Sequence, residues 1–392
     1  MARLSAIAPL RMASAETPSL LPSEPPPHEG FFSRNAGKLV ASAVITTAMV
    51  VMLRKGGLAF TPEAGFGSLR PWTLPAYMGT LAVMSWFRAT RWRFLLRSFA
   101  TIPLRRLVAV SWIGFAAILL MPFRLGELVR PYLVRKKGEL SLTSATSTIV
   151  AERVVDGLFL SVMLAFALVT VPTVSPLPET VVSLPVSVAK VRQAGYGMLG
   201  VFTAAFITIA VFYFARAWAV RTSRLVIGIV SPRLAEKLAA TATKLADGLH
   251  FLGSWRDAGP FLLETTVYWV INALGMWLLA WGCGVVHADG SAPTFGEACA
   301  MMGLLGVTIL VPGPPGLLGV FQLGVYAGMT MYYPTEVVRA QGSLYVFLMY
   351  LCQVVWTVGS AGVFVARGDA RGMRSDDLVA GTDAPALEAG VS

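Results

Sequence analysis

The sequence predicts an all-α, polytopic membrane protein, and three observations carry that prediction. Of its 392 residues, 55% are hydrophobic and only 14% are charged, whereas soluble domains carry roughly 25% charged residues. The apolar residues gather into long runs separated by arginine-rich segments, the pattern of spans and topogenic loops. Ionisable residues also recur inside the apolar stretches between Pro122 and Asp156, at what would be membrane depth. Each such group costs about 2.5–3.5 kcal/mol at a helix centre on insertion scales, so a membrane protein does not keep several without a use for them. The count is about six full transmembrane helices plus two re-entrant helical hairpins; hydropathy alone allows up to about eight crossings.

Residues 1–35 are rich in Pro, Ser and Glu and lack the apolar core of a secretory signal. They are expected to form a disordered cytoplasmic tail. The transmembrane domain is expected over residues 36–366. Its first span runs from about Lys38 to Leu53, and a Gly-rich loop, Arg54 to Arg70, leads to the second at Pro71–Ala89. Arg88 to Arg106 then holds six arginines and no acid, interleaved with Trp92, Phe94, Leu95 and Leu96. This stretch reads as an amphipathic helix lying on the cytoplasmic interface.

Two topologies compete for the next apolar run, Leu107–Met121. If it crosses fully, Arg135, Lys136 and Lys137 lie outside, and so does the basic segment Arg216–Arg256, against the positive-inside rule. If Leu107–Val134 is a re-entrant hairpin, both basic stretches stay cytoplasmic, and this is the preferred reading. Non-helical backbone at membrane depth is tolerated only where protein or a wet cavity surrounds it.

Further spans are expected at Thr143–Val171, Gly195–Ala215, Phe261–Cys283 and Ser343–Val365, with a Pro- and Ser-rich outer loop at Pro172–Arg192. In the long loop Arg216–Gly259, Leu234, Leu238, Leu245, Leu249 and Leu252 share one helical face and predict a surface helix. Phe295–Tyr333 splits into two short apolar helices at Pro312, Gly313, Pro314, Pro315 and Gly316, which cannot continue one helix. It reads as a second hairpin, entering from outside. Residues 367–392 are expected to form another disordered cytoplasmic tail, so both termini lie inside. One hairpin from each face, each with interrupted helices, is the pattern of an inverted-repeat transporter with its site near the midplane, although no residue-level repeat is visible.

The formal net charge is +11. In a soluble chain that would suggest nucleic acid. Here the basic residues sit in loops, where they set topology and meet anionic headgroups, and no nucleic-acid partner is expected. Cys283, Cys299 and Cys352 lie far apart and form neither a disulfide framework nor a metal pattern. No zinc-protease, serine-hydrolase or phosphate-loop motif is present, so no enzymatic activity, cofactor or metal is expected.

The charged constellation is the candidate site. Glu152 and Asp156 are four apart and share a helix face; Arg153 is three before Asp156 and within pairing reach. Glu127 follows Gly126 at the turn of the first hairpin. With Arg124, Arg130 and Arg153, the constellation can hold a lipid phosphate by charge-assisted hydrogen bonds. Glu127, Glu152 and Asp156 would orient those arginines or switch by protonation. The plainer reading is that the charges pair only to hold helices together. Gly126, Pro312, Gly313, Gly316 and Gly319 are assigned to the hairpin turns. Gln322 and Asn272 are candidate polar residues of the cavity, with simple interhelical packing the stronger role for Asn272 and for Trp269.

The stretch RLGELVRPYLVRKKGELSLTSATSTIVAERVVDG, supported by PGPPGLLGVFQ, resembles the lysylphosphatidylglycerol synthase transmembrane region, the flippase-like membrane proteins. The resemblance covers about residues 36–366. It implies movement of a lipid between leaflets, with an anionic phospholipid, a hopanoid or a glycolipid as the partner. Members often carry an acid where this chain has Gln322, which implies a difference in coupling here. The aminoacyl-transferring domain of the large synthases is not part of the resemblance, so lysyl transfer is not expected. The expected function is a lipid flippase of the inner membrane, driven by an ion gradient, the membrane potential or a partner, since no ATP motif exists. The alternatives are a membrane-embedded enzyme acting on a lipid-linked substrate and a non-transporting subunit of a lipid-modifying complex. Beyond lipid, the partners considered are a second copy of the chain and a lipid-biosynthesis enzyme.

Overall fold

The computed structural model describes residues 65–135, 140–181, 184–228, 253–309 and 315–367, with scattered positions between 40 and 63 and between 231 and 243. The expected tails at 1–35 and beyond Arg367, most of the first span at Lys38–Leu53, and the leucine-faced surface helix of residues 234–252 lie outside the described residues.

In chain order the elements are α1 (Thr73–Thr90), α2 (Trp92–Leu96), α3 (Leu104–Leu120), a 3-10 turn (Pro122–Leu128), α4 (Val129–Val134) and α5 (Leu142–Thr170). A small ribbon follows, β1 (Thr180–Val181) and β2 (Leu184–Ser187), then α6 (Val188–Phe214), α7 (Arg216–Gly228) and α8 (Trp255–Gly282). The chain ends with α9 (Phe295–Ile309), a second 3-10 turn (Pro315–Leu317), α10 (Val320–Thr330), α11 (Thr335–Arg339) and α12 (Gln341–Ala366). The protein is therefore an all-α polytopic membrane protein. Among the described residues, four units can cross a bilayer by length and composition: α5, α6, α8 and the run Thr335–Ala366 that joins α11 to α12. The helix at the expected second span, α1, is not among them.

Local chemistry accounts for the boundaries. Ser141 and Ser187 stand just before α5 and α6, and each accepts a hydrogen bond from a first-turn amide, Ser144 N at 3.0 Å and Lys190 N at 3.4 Å. A serine N-cap of this kind satisfies one of the free amides at a helix start. Met121 is extended (φ −89, ψ 138) and ends α3, because the proline at 122 disfavours helical geometry in the residue before it. The expected outer loop carries the antiparallel ribbon, with Thr180 opposite Ser187.

The reading of Arg88–Arg106 as an interfacial amphipathic helix is corrected. Arg91, Trp92, Phe94, Leu95 and Leu96 are all buried, in a short helix packed against α5 and α8. Trp92, Phe94, Leu95 and Leu96 leave almost no polar face to set towards headgroups, and a helix apolar on most sides belongs in a core. They pack with Leu107, Ile149, Phe212 and Phe261. A larger core joins Tyr77, Leu164, Met276, Met302, Val325 and Tyr345.

Both broken segments form hairpins whose limbs return to their starting end. In the first, Arg106 Nη2 near the start of α3 donates to the Leu133 carbonyl near the end of α4, at 3.5 Å. Its turn lies directly on the α3 backbone, and a Cβ at Gly126 would run into the Ala117 carbonyl group. In the second, Tyr333 just past α10 donates to Glu297 in the first turn of α9, at 2.6 Å. The limbs α9 and α10, with 15 and 11 residues, are shorter than the roughly 20 residues a crossing helix requires.

Helix α8 runs between the two hairpin mouths. At its start Asp257 pairs with Arg97, shortly before α3, at 3.0 Å. Beyond its end His287 pairs with Glu297 at 2.8 Å. The hairpins thus enter from opposite ends of the bundle, and their 3-10 turns meet inside it.

Candidate functional site

Two carboxylates on α5 organise the interior. Asp156 receives a two-pronged contact from Arg91, with both Nη–Oδ distances 2.7 Å. Arg91 also donates to Glu152 at 3.1 Å and to Thr265 at 3.1 Å. Glu152 is shared: Arg130 reaches it at 3.1 and 3.3 Å, and Arg153 at 2.6 Å. Arg153 also stands 3.4 Å from Asp156, and Trp269 donates to Asp156 at 3.2 Å. Aromatic faces cover the guanidiniums, with Arg130 4.2 Å from the Trp92 ring centroid and Arg91 4.8 Å from that of Tyr268. Fork-shaped guanidiniums meeting carboxylates in pairs, with rings over their faces, allow charge to be buried at tolerable cost.

This network forms one wall of a cavity of about 400 Å³. The polar part of its lining includes Arg88, Glu127, Arg153, Asp156, Asn272 and Gln353; the apolar part includes Phe115, Leu119, Met198, Phe202, Met302 and Phe321. Both hairpins contribute to it. The first supplies Phe115, Ile118, Leu119 and Glu127; the second supplies Met302, Leu305, Gly306, Ile309, Gly316, Leu317 and Phe321. The turn of the second hairpin is left-handed at Gly316 (φ 74), Leu317 (φ 55) and Gly319 (φ 87). It is held from outside by the Tyr350 hydroxyl, which donates to the Gly316 carbonyl at 2.9 Å.

The expected site residues divide. Arg153, Glu127, Asp156, Asn272 and Gly316 line the cavity. Arg130 and Glu152 do not: they lie behind the wall, buried, and turned to each other. Gln322 is corrected from a cavity residue to a helix cap, since its side-chain oxygen accepts from Gly319 N at 2.6 Å and it is buried away from the lining. Trp269 lines the cavity as well as packing. The Arg124 side chain, Pro312 and Gly313 lie outside the described residues. Gly126 sits in the first 3-10 turn.

Sequence reasoning missed Arg88 and Arg91. A row of arginines after an apolar helix looks the same whether it faces headgroups or acids 61 and 65 positions away. The available signal was Trp92, Phe94, Leu95 and Leu96 crowding the same short stretch.

A charged cavity with apolar walls, enclosed by two opposed hairpins in a bundle of membrane-length helices, defines an integral membrane protein with an internal charged cavity. The chain belongs to the lysylphosphatidylglycerol synthase TM region family, whose model matches residues 38–360. No curated protein and no solved structure matches it. Membership makes it a membrane protein of lipid handling that meets membrane lipids.

Proposed function

We propose that the chain is a lipid flippase of the inner membrane, with residues 36–366 as the transport domain between two cytoplasmic tails. One observation carries the reading: the cavity between the hairpins is itself amphiphilic, lined by guanidiniums and carboxylates as well as by aromatic and aliphatic side chains. A phospholipid combines the same two characters. Its headgroup would meet Arg153, with Glu127 and Asp156 tuning that charge, while its chains lie along Phe115, Leu119 and Phe202.

The buried pairs Arg91–Asp156 and Arg130–Glu152 are the scaffold that fixes Arg153 in place. The hairpins enter from opposite ends and meet at the cavity, so tilting one and then the other against α5 and α8 would open the site alternately to each leaflet. Transport in this scheme leaves the lipid chemically unchanged, which separates it from the enzyme alternative. A second copy of the chain or a lipid-biosynthesis enzyme is the protein partner this reading accommodates.

The test is a flipping assay. The full chain is reconstituted into vesicles carrying a headgroup-labelled phosphatidylglycerol, and an impermeant reductant bleaches the outer leaflet. The expected result is a bleached fraction well beyond that of protein-free vesicles, reduced at least about tenfold in rate by Arg153→Ala, the effect of one charge-assisted contact. Equal bleaching with and without protein, or a change of lipid mass during incubation, would overturn the proposal.

A further inference from the structure

Four guanidiniums converge on this region, and three of them are committed. Arg91 is held by Asp156 and Glu152, Arg130 by Glu152, and Arg153 by both acids. Arg88 is different. It lines the cavity, yet among the described residues it has no ion pair, and its Nε is buried without a hydrogen-bond partner. Its guanidinium carbon stands over the face of Phe115, 4.0 Å from the ring centroid. That ring supports the cation but leaves its N–H groups free.

An arginine cannot shed its proton to escape an apolar setting. A cation in a partly apolar cavity with no ion pair of its own is costly, and the cost is relieved when an anion pairs with it. The fork of Arg88 suits a phosphate or carboxylate oxygen pair. The walls around it, Phe115, Leu119 and Phe202 among them, suit acyl chains rather than a soluble ion.

We infer that Arg88 is the anion receptor of the cavity and makes the site selective for a lipid whose headgroup carries uncompensated negative charge, such as a phosphodiester without an attached amine. This inference rests on the lipid-binding reading of the cavity. It assigns the discrimination to Arg88, because Arg153, the other cation in the lining, already donates to Glu152 and stands beside Asp156, whereas Arg88 has no ion pair among the described residues. The negative headgroup would complete for Arg88 the pairing that the carboxylates supply to its neighbours.

The experiment measures equilibrium binding, so that it does not depend on transport. The purified full chain in detergent is titrated with phosphatidylglycerol and with phosphatidylcholine of the same acyl chains, and bound lipid is counted by native mass spectrometry. The expected preference for the anionic lipid is at least about tenfold. Arg88→Gln should abolish it by weakening phosphatidylglycerol alone, and Arg88→Lys, which keeps the charge, should retain part of it.

Equal binding of the two lipids by the natural chain overturns the inference. So does an Arg88→Gln chain that loses both lipids alike, which marks a packing role. Displacement of phosphatidylglycerol by inorganic phosphate at similar concentration overturns the lipid assignment in favour of a plain anion site. Flipping measured on the same preparations separates the two claims. Arg88-dependent binding without flipping leaves the receptor standing and removes the transport reading; flipping without charge preference does the reverse.

Discussion

The two hairpins solve the same problem with different chemistry. The first lies against charge. Its return helix carries Arg130, which is buried against Glu152, and its turn rests on its own first limb at Gly126. The second has no charged residue in its described turn. That turn is shaped by left-handed glycines and held by one neutral hydrogen bond from Tyr350. Among the described residues its charged fastening is the His287–Glu297–Tyr333 cluster at its mouth. The difference teaches that one hairpin is locked to the bundle at the level of the cavity, while the other is anchored at its base with a lightly held tip. A site that must open needs such a division, since an element that moves is drawn from the less stable parts of a fold.

The largest effect that would break this comparison is at Glu152. Glu152→Ala leaves Arg130 buried without an acid and removes one partner each from Arg91 and Arg153. Breaking a buried pair of this kind costs about 3–5 kcal/mol. Thermal unfolding of the detergent-solubilised chain should show a large drop, and an unchanged unfolding temperature would mean the network does not hold the first hairpin.

At the mouth of the second hairpin, Glu297→Gln keeps the shape but removes the charge that His287 and Tyr333 share. The expected loss is about 1–3 kcal/mol. Hydrogen exchange should show it confined to the bases of α9 and α10; spread across α3 and α4 would contradict the separation of the two hairpins.

The smallest expected effect on stability is at the second turn. Gly316→Ala places a Cβ in left-handed backbone, at a cost of roughly 1–2 kcal/mol, and 2.8 Å from the Tyr350 hydroxyl. Flipping rate should fall more than stability does. The reverse order would mean that the tip is structural and not a moving part.

Much of the architecture was legible because membrane physics writes it in composition. Apolar length placed α5, α8 and α12, and Pro122 and the Pro/Gly run at 312–316 placed the breaks. The ends were less legible: α6 begins at Val188 and α8 at Trp255, since helices continue past the bilayer edge into residues that hydropathy discounts. Glu152, Arg153 and Asp156 stood out because charge inside an apolar run is costly. Their partner Arg91 did not, because its role depends on a tertiary contact and its local setting mimics a topogenic loop. For the same reason Arg130 was not distinguishable from a cavity residue. Nothing in its neighbourhood says whether it faces space or Glu152.

The central claim is that a lipid occupies the cavity between the hairpins. The most direct measurement places a photo-crosslinking amino acid at Asn272, in the cavity lining, and for comparison at Val201, exposed on α6. Both chains are irradiated in the membrane and the adducts identified by mass. The account predicts adducts at Asn272 enriched in one anionic lipid class and lost with Arg88→Gln, while Val201 captures lipid in proportion to the bulk membrane. Bulk composition at both positions, or no lipid adduct at Asn272, would contradict it.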